Sequence, residues 1–459
     1  MDRPDLTNSK DSTTKPSLAR RLGVFDATMI VMGGIIGAGI FVNPSVVAQQ
    51  VHTPMLILGA WLIGGAIALI GAFIYAELAV RQPCVGGQYA YLREAYHPVV
   101  AFLYGWTLLL VVQTGGMAGA AIIFGHYFRE LSGFGIPEQA VAAITLGVLT
   151  VINCFGIRSG SNVQSVLMLT KIAAIALLIG VGLFVADPVT PDSSTVAVNR
   201  EGNAFSGLLA AMVPVLFAYG GWQTASFVSG EMRDPRRDLP RGLFIGVGGV
   251  ILLYVLVNCV CLRVLGVVGL ADTMTPASAV MRQALGTRGA KIIAGAIAVS
   301  TVGFLSQSIL TAPRVYYAMA RDGVFFKAVG QLSPRSRVPV IAIMLQGIWA
   351  TVVAITGRYE QILNYVVTID VLFFGLTAAS LFVFRAGARC EDSERTKGYL
   401  VRVPWHPVTT GLFVLACWAV AVSTLVRFPQ NAGIGVLILA LGALVYQFWA
   451  RDRRAGVME

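Results

Sequence analysis

The sequence predicts an all-α integral membrane protein of twelve transmembrane helices, arranged as a five-plus-five inverted repeat in which helices 1 and 6 are discontinuous. Three observations carry this: the composition, a series of apolar runs of membrane length, and two glycine-marked interruptions at corresponding places in the two halves. Of the 459 residues, 56% are hydrophobic and only 12% are charged, against roughly 25% charged in soluble domains. About twelve apolar runs approach the ~20 residues that cross a bilayer as helix. They lie at 25–50, 55–80, 99–125, 140–155, 163–186, 205–228, 243–262, 292–319, 338–355, 362–384, 408–426 and 432–449.

Run 1 follows a polar tail, residues 1–24, that lacks the short apolar core and small-residue cleavage pattern of a signal peptide. The run is read as a resident anchor, and the tail as flexible. At its centre stands Met32-Gly33-Gly34-Ile35-Ile36-Gly37-Ala38-Gly39-Ile40-Phe41. Each glycine in a helix interior costs roughly 1 kcal/mol relative to alanine, so such a cluster marks either close helix packing or a deliberate break. Pro44 suits a fresh helix start just beyond. Run 2 ends with Glu77 and Arg81 at i,i+4 spacing, an ordinary helix pair. Run 5 carries Lys171 about a third of the way in, a residue type that is functional by default at membrane depth unless it snorkels to the interface.

Run 6 repeats the interruption at Phe217-Ala218-Tyr219-Gly220-Gly221-Trp222. Each break falls in the first helix of a five-run block, and five is odd, so the second block enters the membrane from the opposite side. Paired interrupted segments in corresponding positions are the sequence signature of a transport site. The chain therefore divides into the tail 1–24, a first repeat 25–203, a second repeat 204–386, and runs 11 and 12 with a C-terminal tail at 387–459. The longest loops, 187–204 and 266–291, can hold short helices at most. Run 8 contains Pro313-Arg314 and run 10 contains Asp370, both expected to have buried partners.

Lys and Arg concentrate on alternate loops: five before run 1, four in 233–241, four in 321–337, five in 385–402 and three in 451–454. Arg129, Arg200, Arg358 and Arg427 stand alone on the opposite loops, and Arg282, Arg288 and Lys291 after run 7 are the exception. The positive-inside rule puts both termini in the cytoplasm of a cell-membrane protein. The net charge of +11 thus reflects topology and gives no reason to expect nucleic acid. Cys154, Cys259, Cys261 and Cys417 fall within runs, and Cys84 and Cys390 in cytoplasmic loops, so no disulfide framework is expected.

Broken helices expose unpaired carbonyls where the first half ends and unpaired N–H groups where the second begins. The centre would offer acceptors around Ile35, Ile36, Phe217 and Gly220, and donors around Gly37, Ala38, Gly39 and Gly221. An ammonium fits the first set and a carboxylate the second, the outline of an α-amino acid zwitterion. Gln223 follows the second break and joins the candidate site. Phe41, Phe217, Tyr219 and Trp222 are candidates for a side-chain pocket and gate, with Phe41 reading equally as packing. Neither break contains Asp or Glu, and Glu231 lies about two helical turns beyond, so neutral side chains are favoured.

The motifs Gly37-Ala38-Gly39-Ile40-Phe41, Phe217-Ala218-Tyr219-Gly220-Gly221-Trp222, Gly230-Glu231-Met232-Arg233-Asp234-Pro235 and Tyr317-Ala318-Met319-Ala320-Arg321-Asp322-Gly323 occur in order along the chain. In these the chain resembles the amino acid–polyamine–organocation superfamily, and within it the bacterial L-type amino acid transporters. The resemblance implies the fold of the sodium-coupled leucine transporter, with the substrate carboxylate on Ala38 and Gly39 and the amino group near Ile35, Phe217 and Gly220. It also implies that Lys171 occupies the place where sodium-coupled relatives hold a sodium ion, which argues against sodium dependence, and that Tyr254 positions the lysine or the first break. Two departures stand out. Many relatives have serine at the position of Ala38, and animal light chains carry an external cysteine that 126–136 lacks, so no disulfide-linked heavy chain is expected.

The expected function is secondary transport of neutral L-amino acids, by exchange or else by proton symport with Lys171 titrating. A channel suits discontinuous helices less well. No nucleophile, metal cluster or paired carboxylates point to an enzyme, so no cofactor or metal is expected, and Gln82-Pro83-Cys84-Val85-Gly86-Gly87-Gln88-Tyr89 lacks the loop motif of major facilitator carriers. Glu231, Arg233, Asp234, Arg236 and Arg237 form either gate pairs or a solvated face.

Overall fold

The computed structural model describes residues 22–82, 86–155, 160–189, 204–333, 338–387 and 401–455. The tail before Leu22, Cys84, Cys390 and most of the 187–204 loop lie outside the described residues. In chain order the helices are α1 (Val24–Ile35), α2 (Asn43–Gln50), α3 (Pro54–Arg81), α4 (Gln88–Ala95), α5 (Pro98–Thr107), α6 (Gln113–Ser132), α7 (Glu138–Cys154) and α8 (Gly160–Phe184). They continue with α9 (Ala204–Tyr219), α10 (Pro235–Ala271), α11 (Pro276–Thr311), α12 (Pro313–Arg321), α13 (Val340–Thr356), α14 (Tyr359–Gly387), α15 (Val408–Arg427) and α16 (Pro429–Ala455).

Among the described residues, nine helical stretches are long and apolar enough to cross a membrane by length and composition, and α1, α7 and α13 are apolar but shorter. Large apolar side chains such as Ile144, Val148, Leu252, Leu415 and Leu437 point outward. A surface of that kind would aggregate in water and is at ease in lipid, where helices satisfy every backbone group internally. Inside, α10 packs along α3 and α1, α11 along α8 and α6, α13 along α7, and α14 along α15.

Both glycine clusters interrupt their helices. Ile36 leaves α1 with φ −74° and ψ 79°, a 3₁₀ turn covers Gly39–Phe41, and α2 restarts with Pro44 in its first turn. After α9 the backbone turns at Gly221, φ +104°, and continues as a 3₁₀ helix over Trp222–Glu231. The second half of run 6 is therefore wound more tightly than an α-helix, which changes the direction of every side chain in it. A third irregularity had no sequence signal: a π-helical turn at Leu108–Val112 joins α5 to α6, with the Thr114 hydroxyl donating to Leu109 O at 2.8 Å. The loop at 266–291 is more helical than expected, because Gly266 (φ +67°) and Gly286 (φ +66°) let α10 and α11 bend and continue.

The ends of the helices are tied by ion pairs. Glu77 proves to be more than a partner for Arg81. It is only 1% exposed, accepts from Arg385 of α14 at 2.6 and 2.9 Å and from Arg81 at 2.9 Å, and caps the Val403 N–H at 2.8 Å. Arg314 pairs with Glu231 at 3.1 Å, joining α12 to the end of the 3₁₀ helix, and Arg93 pairs with Asp322. Leu22 and Met232 form a parallel bridge that holds the segment just before α1 against the end of that same helix. Removing one member of a buried, hydrogen-bonded charge network costs about 3–5 kcal/mol. Glu77→Ala should accordingly lower the thermal stability of the purified protein sharply, whereas Arg93→Ala, at a pair about a third exposed, should change it little. Equal stability losses in the two variants would show that the Glu77 network does not hold α3, α14 and the 401–407 segment together.

Candidate functional site

The two breaks lie against each other and form one side of an internal cavity. A Cβ on Gly221 would sit 2.1 Å from Gly34 O, and one on Gly39 would sit 3.2 Å from Ala218 Cα. Only glycine allows such an approach, and at Gly221 the positive φ asks for glycine as well. Gly34, Ile35, Gly37, Ala38 and Gly39 of the first break line the cavity, together with Phe217, Ala218, Gly220, Gly221 and Gln223 of the second.

The remaining walls come from unbroken helices. Gln113 and Gly116 of α6 and Val112 of the π turn form one, Phe304, Gln307, Ser308 and Thr311 of α11 another, and Val366, Val367, Asp370, Val371 and Phe374 of α14 a third. The π turn matters here, since an extra residue in the turn shifts the helical register just before Gln113. At one end, Asn43 of α2 donates to Pro214 O at 2.7 Å and accepts from the Tyr359 hydroxyl at 2.8 Å, linking α2, α9 and α14.

The backbone chemistry divides as the broken helices require, with differences in detail. Among the described residues, the N–H groups of Ala38, Gly39 and Ile40 have no acceptor in the protein, so they can meet an anion. Gly37 and Gly221 do not serve as free donors. The Gly37 N–H is taken by Ile35 O at 2.7 Å in a tight turn, and the Gly221 N–H by Gln223 Oε1 at 2.9 Å. On the acceptor side, Phe217 O receives the Gly220 N–H at 3.2 Å and keeps a second lone pair.

Lys171 and Tyr254 stand behind the breaks rather than in the cavity. Lys171 of α8, 1% exposed, donates from Nζ to Ile36 O at 2.9 Å and lies 5.9 Å from the centre of the Phe304 ring. The Tyr254 hydroxyl of α10 reaches Ile35 O at 3.0 Å and Ala218 O at 3.2 Å, one carbonyl from each break. A side-chain cation and a hydroxyl thus hold the carbonyls that the end of α1 leaves unpaired.

Trp222 is placed apart from the other candidate residues. It packs edge-on against Tyr75 at 4.7 Å and tilted on Phe374 at 5.2 Å, over Gly71, and does not line the cavity. Tyr219 packs on Trp61 and Tyr254, and Phe41 is wholly buried with its carbonyl bonded to Tyr127. Sequence reasoning missed Gln113, Phe304, Ser308, Thr311 and Phe374, isolated polar or aromatic residues in long apolar helices with no motif around them. Asp370 did carry one, a charge at membrane depth, and its place in the cavity wall is what no single-sequence pattern revealed. Among the described residues no three His, Cys, Asp or Glu side chains gather at metal-binding distance.

Comparison with known proteins agrees across nearly the whole chain. A family model described as amino acid permease matches residues 22–446. The serine/threonine exchanger SteT of Bacillus subtilis is 30% identical over 449 residues, covering 96% of this chain and 99% of its own length. The large neutral amino acids transporter small subunit 2 of Homo sapiens is 30% identical over 444 residues, 94% of this chain and 80% of the relative. The b(0,+)-type amino acid transporter 1 of Oryctolagus cuniculus is 30% identical over 399 residues, 84% of this chain and 79% of the relative.

Proposed function

Because the chain belongs to the amino acid permease family, we propose that it is a secondary transporter of neutral L-amino acids, working by alternating access as an exchanger independent of sodium. It is a multi-pass membrane protein whose relatives are amino acid transporters and exchangers rather than enzymes. The observation that carries the reading is the cavity between the two breaks. Its first face presents the unpaired N–H groups of Ala38 and Gly39, and its second presents carbonyls at Phe217 and Gly220. Opposite partial charges lining one cavity suit a zwitterion better than any singly charged or neutral solute.

In this reading the substrate carboxylate rests on Ala38 and Gly39 and the ammonium on Phe217 and Gly220, with Val112, Ile123, Phe304 and Phe374 around a neutral side chain. Ile35 O is not among the ammonium's partners, since it already accepts from the Gly37 N–H and the Tyr254 hydroxyl. The Lys171 ammonium against Ile36 O supplies a fixed positive charge behind the break, which makes a coupling sodium ion redundant. Repeats at 25–203 and 204–386, with two appended helices and both termini in the cytoplasm of a cell-membrane carrier, complete the proposal. No heavy chain is needed.

Gly39→Val tests the placement of the carboxylate. A Cβ there already lies 3.2 Å from Ala218 Cα and 3.3 Å from Asn43 Nδ2, and a branched side chain would fill the space before the N–H groups. Amino acid binding should fall below detection in a protein that still purifies as a single species, and retained affinity would refute the placement. The function itself is tested with purified protein in liposomes, with or without internal unlabelled amino acid, given a labelled panel. Uptake that requires internal neutral amino acid and is indifferent to sodium is the expected result. Accumulation in empty vesicles under a pH gradient would make the carrier a symporter, and no flux of any amino acid would end the reading.

A further inference from the structure

Asp370 is a carboxyl group standing over the second helix break. It lines the cavity from α14, and a methyl group placed on Gly220 would lie 3.9 Å from its Oδ2. Because glycine carries no such group, the space between the Gly220 backbone and the carboxyl is open to a ligand. None of the other lining residues is Lys, Arg or His. Among the described residues no ion pair or hydrogen bond engages the Asp370 side chain, and the salt bridges of the molecule lie elsewhere. The titratable groups within its electrostatic reach, Tyr75 of α3, Tyr104 of α5 and Cys417 of α15, are weak acids and bring it no positive charge.

A carboxylate at membrane depth is costly unless it faces a polar cavity and meets a partner. The buried cation of the chain backs the other break. Lys171 donates to Ile36 O, two residues before Ala38, and lies 5.9 Å from the centre of the Phe304 ring that lines the cavity. A positive charge thus stands behind the break whose N–H groups are free, and a negative one flanks the break that presents the Phe217 and Gly220 carbonyls. The two side-chain charges reinforce the backbone dipoles in the same sense, so both point a zwitterion the same way round.

We propose that Asp370 is the counter-ion of the substrate's α-ammonium, and with it the residue by which the carrier tells α-amino acids from 2-hydroxy acids of the same side chain. This rests on the reading of the cavity as an amino acid site and adds a charged partner to the Phe217 and Gly220 carbonyls. An ammonium has three donors, so one placed between Gly220 and Asp370 serves carbonyl and carboxylate together. A 2-hydroxy acid brings a carboxylate but no cation. It leaves Asp370 without a partner in the presence of a second negative charge, and a site whose buried polar group is left unpaired rejects such an analogue strongly.

The test measures equilibrium binding to the purified full-length carrier as wild type, Asp370→Asn and Asp370→Glu. The ligands are leucine, alanine and serine, each paired with its 2-hydroxy analogue: 2-hydroxy-4-methylpentanoate, lactate and glycerate. For the amino acid that the wild type binds best, affinity should exceed that of the analogue by at least about thirtyfold, the scale on which one partner of a desolvated charge pair acts. Asp370→Asn should weaken the amino acid by a similar factor and leave the analogue unchanged or tighter, so that the ratio collapses. Asp370→Glu, which keeps the charge, should restore part of it. A wild type that binds the 2-hydroxy acid as tightly as the amino acid would overturn the proposal and leave the transport reading intact, whether or not the variants fold. An unchanged ratio in Asp370→Asn, or equal loss of both ligand classes, would also overturn it. No binding of any amino acid by the wild type would overturn the amino acid reading of the cavity and this proposal with it.

Discussion

Gly221→Ala should abolish transport and lower the melting temperature of the purified carrier. The position combines a backbone φ of +104° with a Cβ site 2.1 Å from Gly34 O. A left-handed conformation in a non-glycine residue costs about 1–2 kcal/mol, and the steric overlap with a carbonyl cannot be relieved by a rotamer change. The two breaks must separate or the turn must rearrange, and either outcome spoils the carbonyls and N–H groups that meet there. Gly59→Ala is the control, since a Cβ on Gly59 meets nothing within 4 Å. Both variants are measured for uptake into vesicles and for thermal stability. Wild-type uptake by Gly221→Ala would mean that the two breaks are not pressed together in the working protein.

Lys171→Ala should damage turnover far more than substrate affinity. The ammonium does not touch the cavity, yet it holds Ile36 O at 2.9 Å from behind. Its removal leaves a carbonyl at the end of α1 without its donor, a penalty of about 1–3 kcal/mol. A shift of about 1.4 kcal/mol changes the ratio of two access states tenfold. Exchange rates should therefore fall by roughly tenfold or more while equilibrium binding of the amino acid changes by a few fold. Lys171→Arg, which keeps the charge but not the shape of the donor, should recover part of the rate. A normal exchange rate in Lys171→Ala would reduce the lysine to a structural residue.

What could be read directly from the sequence was backbone chemistry. Glycine clusters at Gly33–Gly39 and Gly220–Gly221 mark breaks because no other residue tolerates so close an approach, and the structure brings those clusters together. Ile35, Gly37, Ala38, Gly39, Phe217, Gly220, Gly221 and Gln223 all line one cavity for that reason. Two of the supposed donors, Gly37 and Gly221, turn out to be occupied, since the chain satisfies its own N–H groups wherever a nearby acceptor allows. Trp222 was less legible. Its direction is set by the left-handed turn at Gly221 just before it, which leads it onto Tyr75 and Phe374.

The unbroken walls were not legible at all. Helical periodicity says which face of α6, α11 or α14 is buried, but a buried face that meets a cavity has the same pattern as one that meets another helix. Gln113 enters the cavity wall beside a π turn that apolar residues alone do not announce. Glu77 looked like half of a local helix pair because Arg385, its partner from α14, is 308 residues away. Asp370 stood out as a charge in an apolar run, yet only the packing of α14 against α9 places it beside Gly220.

The central claim is that an α-amino acid lies between the two helix breaks. The most direct test is an experimental structure of the carrier with a bound neutral amino acid. The account predicts the carboxylate within hydrogen-bonding distance of the Ala38 and Gly39 N–H groups, the ammonium against the carbonyls of Phe217 and Gly220, and Lys171 still bonded to Ile36 O. Density for the amino acid away from the two breaks, or a ligand whose ammonium and carboxylate take the opposite orientation, would contradict it.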